Sequence, residues 1–198
     1  MQTTEPQVSA MNSMILRIAL SVSLLSSSAL AQISDFCFGD GTGTACPCAN
    51  SSAFGADEGC LNSFGSGGKL RATGIASLSD DGDGTPSLRL DGTQMTNGSY
   101  GYFQGTSQQS GGSGVAFGDG LRCAGGALIR LHWPLRFNVA GASHFPDATM
   151  FDPAISVKGL VTTPGTRTYQ IFYRDAAIGF CTTNTFNTTN AVSVTWGA

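Results

Sequence analysis

Thr166-Arg-Thr-Tyr-Gln-Ile-Phe-Tyr-Arg-Asp175 is the stretch on which the fold turns. Strand side chains alternate with period 2, which sets Tyr169, Ile171 and Tyr173 on one side and Gln170, Phe172 and Arg174 on the other. The first side is wholly apolar or aromatic and belongs in a core. The second carries Phe172 between polar neighbours, so the segment reads as a strand with one face firmly buried. Ala191-Val-Ser-Val-Thr-Trp196 follows after a connection rich in Cys, Thr and Asn, and suits antiparallel pairing with it.

Upstream, further strands are expected at Lys69–Ser77, with a bulge near Gly74, and at Ser87–Leu90, with Leu88 and Leu90 on one face. Ser99–Gln104 puts Tyr100 and Tyr102 on one side and Phe103 on the other. Ala127–Trp133 alternates Ala127, Ile129, Leu131 and Trp133 against Leu128, Arg130 and His132. Pro134 ends that run, Leu135–Val139 resumes, and Ile155–Val161 is read as the next strand. Thr106–Gly114, a Gly/Ser/Gln stretch, reads as a loop. About eight short strands with Gly and Pro between them predict an all-β, antiparallel β-sandwich or jelly-roll-like fold.

Composition agrees. The chain has 198 residues, 27 of them glycine, and only two glutamates and two lysines, so helix formers are scarce. Met14–Ala31 has one arginine, an apolar middle and an Ala29-Leu30-Ala31 ending, which reads as a secretory signal cleaved before Gln32. The start is expected at Met11 or Met14, leaving one domain over residues 32–198, with a cysteine-rich segment at 32–66 and a β-sandwich body at 67–198. The apolar run is too short and serine-rich for a membrane span. A net charge of −3, with basic residues spread singly, argues against nucleic acid as a partner.

Six cysteines follow the leader: Cys37, Cys46, Cys48, Cys60, Cys123 and Cys181. An even count in an exported chain predicts three disulfides. Cys46-Pro-Cys48 lacks the two-residue spacing of a zinc knuckle and has no nearby histidine. Cys46 and Cys48 are too close to pair, so each reaches elsewhere. The parsimonious pairing joins Cys123 to Cys181 and leaves two bridges within Cys37–Cys60; a bridge from this segment into the body is equally permitted.

Three motifs in order carry a resemblance. Phe36-Cys-Phe-Gly-Asp-Gly-Thr-Gly-Thr-Ala-Cys-Pro-Cys48, Phe117-Gly-Asp-Gly-Leu-Arg-Cys-Ala-Gly-Gly126, and Tyr169-Gln-Ile-Phe-Tyr-Arg-Asp175 with Phe180-Cys181 resemble an uncharacterised family of secreted bacterial, planctomycete-type cysteine-containing β domains. The resemblance implies export and a single module and brings no established chemistry.

No nucleophile elbow, P-loop or zinc-protease motif is present, and His132 and His144 are the only histidines. The expectation is therefore a non-catalytic structural or adhesive module, secreted or at the cell surface, whose partners are surface glycans or other exported proteins. The alternatives are a carbohydrate-binding module, whose platform would draw on Tyr100, Tyr102, Trp133 and Trp196, and a hydrolase with an unrecognised site. No cofactor is expected. Asp80, Asp81 and Asp83 offer the first oxygen ligands of a calcium loop, but Pro86 stands where the loop needs glycine and no closing glutamate follows, which favours a solvated acidic turn.

Overall fold

The computed structural model describes residues 1–3, 32–81, 87–138 and 140–198. Residues 4–31 of the leader expected at 1–31 lie outside them, as does Asp83; the side chains of Asp80 and Asp81 are likewise undescribed. In chain order the strands begin with β1 (Ile33–Phe36), β2 (Lys69–Gly74), β3 (Leu88–Thr93), β4 (Ser99–Gly105) and β5 (Ser107–Gln108). Next come β6 (Val115–Phe117), β7 (Gly120–Arg122), β8 (Ala124–Gly125), β9 (Ile129–Arg130) and β10 (Arg136–Phe137). The last are β11 (Ser143–Phe145), β12 (Gly165–Arg174), β13 (Phe186–Thr188) and β14 (Ala191–Trp196). The fold is all-β, as its composition predicts.

β12 lies inside a seven-stranded antiparallel sheet of order β1-β14-β12-β4-β10, to which β13 and β9 attach. Its expected partner is there: Tyr169 faces Val192 across the β12–β14 pair. Its second neighbour is β4, with Ile171 opposite Tyr102 and Tyr173 opposite Tyr100. A three-stranded sheet, β11-β3-β2, covers one face. Leu70, Leu88, Leu90 and Phe145 from the small sheet pack with Tyr102, Tyr169, Ile171, Tyr173, Val194 and Trp196 from the large one. Each such side chain contributes about 1.5–3 kcal/mol by leaving water, so this interface dominates the stability of the sandwich. The bulge expected near Gly74 is not formed: β2 pairs with β3 residue for residue from Lys69–Thr93 to Gly74–Leu88, and the glycine instead takes φ +99° at the strand end, where a Cβ would stand 2.0 Å from the Ser87 carbonyl oxygen.

The polar atoms inside this core are chained together. Trp196 Nε1 donates to Tyr169 Oη at 2.9 Å, and Tyr169 Oη donates to Gln104 Oε1 at 3.0 Å. Gln104 Nε2 in turn donates to the Gly159 carbonyl at 2.8 Å. Burial without such partners would cost each group about 1–3 kcal/mol. Asn190 works similarly between sheets: its Oδ1 accepts from Leu70 N–H at 2.8 Å and its Nδ2 donates to Leu70 O at 3.1 Å.

The opposite face of β12 is also covered, which the sequence reading missed. Gln170 is fully buried. Its Nε2 donates to Leu121 O at 2.8 Å and Thr189 O at 2.7 Å, while its Oε1 accepts from Cys123 N–H at 2.8 Å. Above it lies a second, smaller cluster of Cys37, Cys46, Cys60, Leu121, Cys123 and Ala191. The cysteine-rich segment is thus a third layer.

Three disulfides are formed and no cysteine is free. Their pairing corrects the parsimonious expectation: Cys37 joins Cys123, Cys46 joins Cys60, and Cys48 joins Cys181. Only the second bridge stays within the segment. The reason is the layering, because the segment lies flat on the large sheet and meets the β6–β7 hairpin and the 176–185 connection there. Cys46 and Cys48 do reach different partners, as their spacing requires.

Two expected strands fail. Ile155–Val161 is instead a single helical turn, Ile155–Lys158, with Gly159 N–H donating to Ile155 O at 2.7 Å. Ile155 and Val161 are buried and Val157 is exposed, a helical rather than an alternating pattern. The run Ala127–Trp133 is strand only at β9. Leu131 and His132 are both buried although adjacent, so the chain turns over the sheet edge there and Trp133 emerges into solvent.

Candidate functional site

Where the cysteine layer stops, the outer face of the large sheet stays open as a groove of about 590 Å³. Its floor follows from register. Phe172 on β12 faces Gly101 on β4, and Phe103 lies two residues further along the same face. A Cβ on Gly101 would stand 2.8 Å from Leu135 Cδ2, so the glycine leaves the hollow into which Leu135 settles. One wall is the β6–β7 hairpin, supplying Phe117 and Arg122; the other is the 128–135 stretch, supplying Leu128, Ile129, Arg130, His132 and Trp133. The hairpin wall is held by its attachment to the cysteine layer, through the Cys37–Cys123 bridge and Gln170.

Two guanidinium groups line this apolar groove. Arg122 stacks over Phe117 with 5.7 Å from Cζ to the ring centroid, and Arg130 over Trp133 at 4.9 Å. Stacking of this kind contributes about 0.5–2 kcal/mol and fixes the planar fork in place. Among the described residues, neither arginine has a carboxylate within ion-pair reach; the salt bridges involve Arg71, Arg89, Arg136 and His144. Arg122 Nε is buried without a hydrogen-bond partner among the described residues. The lining contains no Asp, Glu, Asn or Gln.

His132, between groove and core, is engaged on both sides. Its ring packs against Tyr100, Tyr102 and Phe145 at centroid distances of 5.5–5.9 Å. Nε2 accepts from Tyr102 N–H at 3.5 Å, and Nδ1 faces the Pro134 carbonyl at 3.4 Å. Burial first, and the nearby Arg136 charge second, push its pKa below the ordinary value. A neutral imidazole with both nitrogens occupied is a packing element rather than a proton shuttle.

The four aromatics read as a possible platform separate. Trp196 and Tyr102 are 1% exposed and Tyr100 is 7% exposed, so these three fill the core instead of forming an outward row. Tyr102 Oη shares a hydrogen bond with Ser143 Oγ at 3.0 Å, and burial raises its pKa. Trp133 alone of the four is open, at 67%. The sequence reading missed its groove neighbours, although Phe103 and Phe172 were already legible as residues on the outward side of their strands. Among the described residues no group of three or more His, Cys, Asp and Glu side chains is placed to hold a metal ion. The turn at Asp80, Asp81 and Asp83 lies outside that description.

Comparison with known proteins finds no matching family model, no matching curated protein and no matching solved structure. Among the described residues no helix is long and apolar enough to cross a membrane. The three disulfides are consistent with an extracellular protein.

Proposed function

We propose that this protein is an exported, non-catalytic adhesion module that holds a surface or extracellular polymer in the groove between the β6–β7 hairpin and Trp133. The observation that carries the reading is Trp133 itself. A tryptophan left 67% exposed beside an aromatic-floored groove is an indole available to a ligand. The absence of carboxylates from the lining, and the two-sided engagement of His132, support a binding rather than a catalytic role. The disulfides and the leader-like N-terminus support export, and the resemblance to secreted bacterial β domains supports a module of that kind.

The test is retention of fluorescently labelled protein on envelope and capsule polymers extracted from the producing cells. Trp133→Ala is expected to lower retention about five- to tenfold, the worth of one aromatic contact, while lowering the melting temperature by only about 2–4 °C through the lost Arg130 stacking. Equal retention of the variant overturns the groove as the site. Time-dependent release of polymer fragments overturns the non-catalytic role.

A further inference from the structure

The polar groups of the groove are donors only. Arg122 and Arg130 present N–H forks, the lining has no side-chain carboxylate or carboxamide to accept in return, and both ring nitrogens of His132 are already engaged, by the Tyr102 N–H and the Pro134 carbonyl. A neutral sugar is ordinarily held by mixed donors and acceptors, because each hydroxyl both gives and takes a hydrogen bond. Two planar guanidinium forks with no internal counter-charge match instead the paired oxygens of a carboxylate or a sulfate. The chain as a whole is net acidic, at −3, so the local excess of positive charge sits against the overall balance. Meanwhile the walls are aromatic and aliphatic, and the stacking rings beneath each guanidinium leave the forks aimed by the protein before any ligand arrives.

Resting on the reading of the groove as a binding site, we infer that its ligand is an anionic polysaccharide, whose acidic groups pair with Arg122 and Arg130 while a sugar face packs on Trp133. Charge complementarity selects the acid. Ring chemistry selects a glycan over an acidic peptide, because the exposed indole of Trp133 offers a flat apolar surface on which a sugar ring can lie. Arg130 is exposed and Arg122 half-buried.

The experiment is affinity electrophoresis of the purified protein through gels containing polygalacturonate, dextran sulfate, unmodified dextran or polyglutamate, at low salt and at high salt. Retardation is expected with polygalacturonate or dextran sulfate, weakened by salt, and absent with dextran. The more strongly retarding of the two identifies carboxylate or sulfate as the recognised acid. Arg122→Gln and Arg130→Gln are each expected to weaken it about tenfold, the value of one charge-assisted pair. Arg130 is exposed, so its replacement tests the pairing even if Arg122→Gln perturbs folding. Equal retardation by dextran, abolished by Trp133→Ala but untouched by the arginine changes, overturns the anionic ligand and leaves the groove standing. Stronger retardation by polyglutamate than by either acidic glycan overturns the glycan. Retardation unaffected by Trp133→Ala and by both arginine changes overturns the inference and the groove together.

Discussion

The two faces of the large sheet are covered by different means. On one side, Tyr169, Ile171 and Tyr173 meet Leu70, Leu88, Leu90 and Phe145, and apolar area leaving water supplies the cohesion. On the other, Cys37, Cys46, Cys60 and Cys123 gather around little more than Leu121, Ala191 and Phe36. A layer so poor in large side chains cannot order itself by burial. It is held by three cross-links and by amide groups such as Gln170 and Asn50, whose Nδ2 donates to Leu61 O at 2.7 Å and Asp119 O at 2.9 Å. The lesson is a division of labour: the sandwich makes the fold stable, and the stapled layer makes one wall of the groove rigid.

Three perturbations separate the layers. The largest effect is expected from removing the Cys37–Cys123 bridge, which spans 86 residues, by the double change Cys37→Ala and Cys123→Ala. Chain entropy assigns such a loop about 4.5 kcal/mol, read from urea unfolding midpoints. If the contrast holds, this variant also loses groove binding while the buried core still melts in one cooperative step. A stability loss under about 1 kcal/mol would show that the layer is held by its hydrogen bonds instead.

Next comes the core itself. Tyr173 is fully buried, its Oη accepts from Asn62 Nδ2 and Gly68 N–H at 3.3 Å, and burial raises its pKa. Tyr173→Ala should cost about 4 kcal/mol by cavity formation. Unlike the disulfide variant, any folded fraction should keep its affinity for the ligand. Wild-type stability with lost binding would invert the assignment of the two faces.

The smallest effect is that of pH at their boundary. Because the folded-state pKa of His132 lies below its ordinary 6.5, the unfolded chain takes up this proton first as pH falls. The contribution is fully present above about pH 6.5 and is lost progressively below it, down to the folded-state value. Melting temperature should therefore decline between pH 7 and pH 5, and His132→Gln should flatten that decline relative to wild type. A variant with the same slope as wild type would move the pH dependence to other groups.

Much of the sandwich was legible because it is local. The period-2 run at Tyr169, Ile171 and Tyr173 and the pair Leu88 and Leu90 point where alternation says they should. What escaped was set by distant contacts. Ile155–Val161 offers apolar residues at both strand and helix spacing, and only the closing bond from Gly159 N–H to Ile155 O decides between them. Gln170 looked like a solvent-facing residue because nothing near it in sequence announces the cysteine layer above. The disulfide pairing depended on that same layer. In the groove, Trp133 is a candidate by its chemistry but alternation groups it with Leu131, and the turn at His132 separates the two. Arg122 and Arg130 carried no signal in a chain whose cations are scattered; folding brings them to one groove.

The two indoles also make the protein its own pair of optical reporters. Trp196 sits in the core with its N–H on Tyr169, so its emission is blue, shielded from acrylamide, and changes only when the sandwich opens. Trp133 stands in water beneath Arg130, so its emission is red, readily quenched, and sensitive to whatever enters the groove. One unlabelled sample thus carries two separable signals, one for unfolding and one for occupancy.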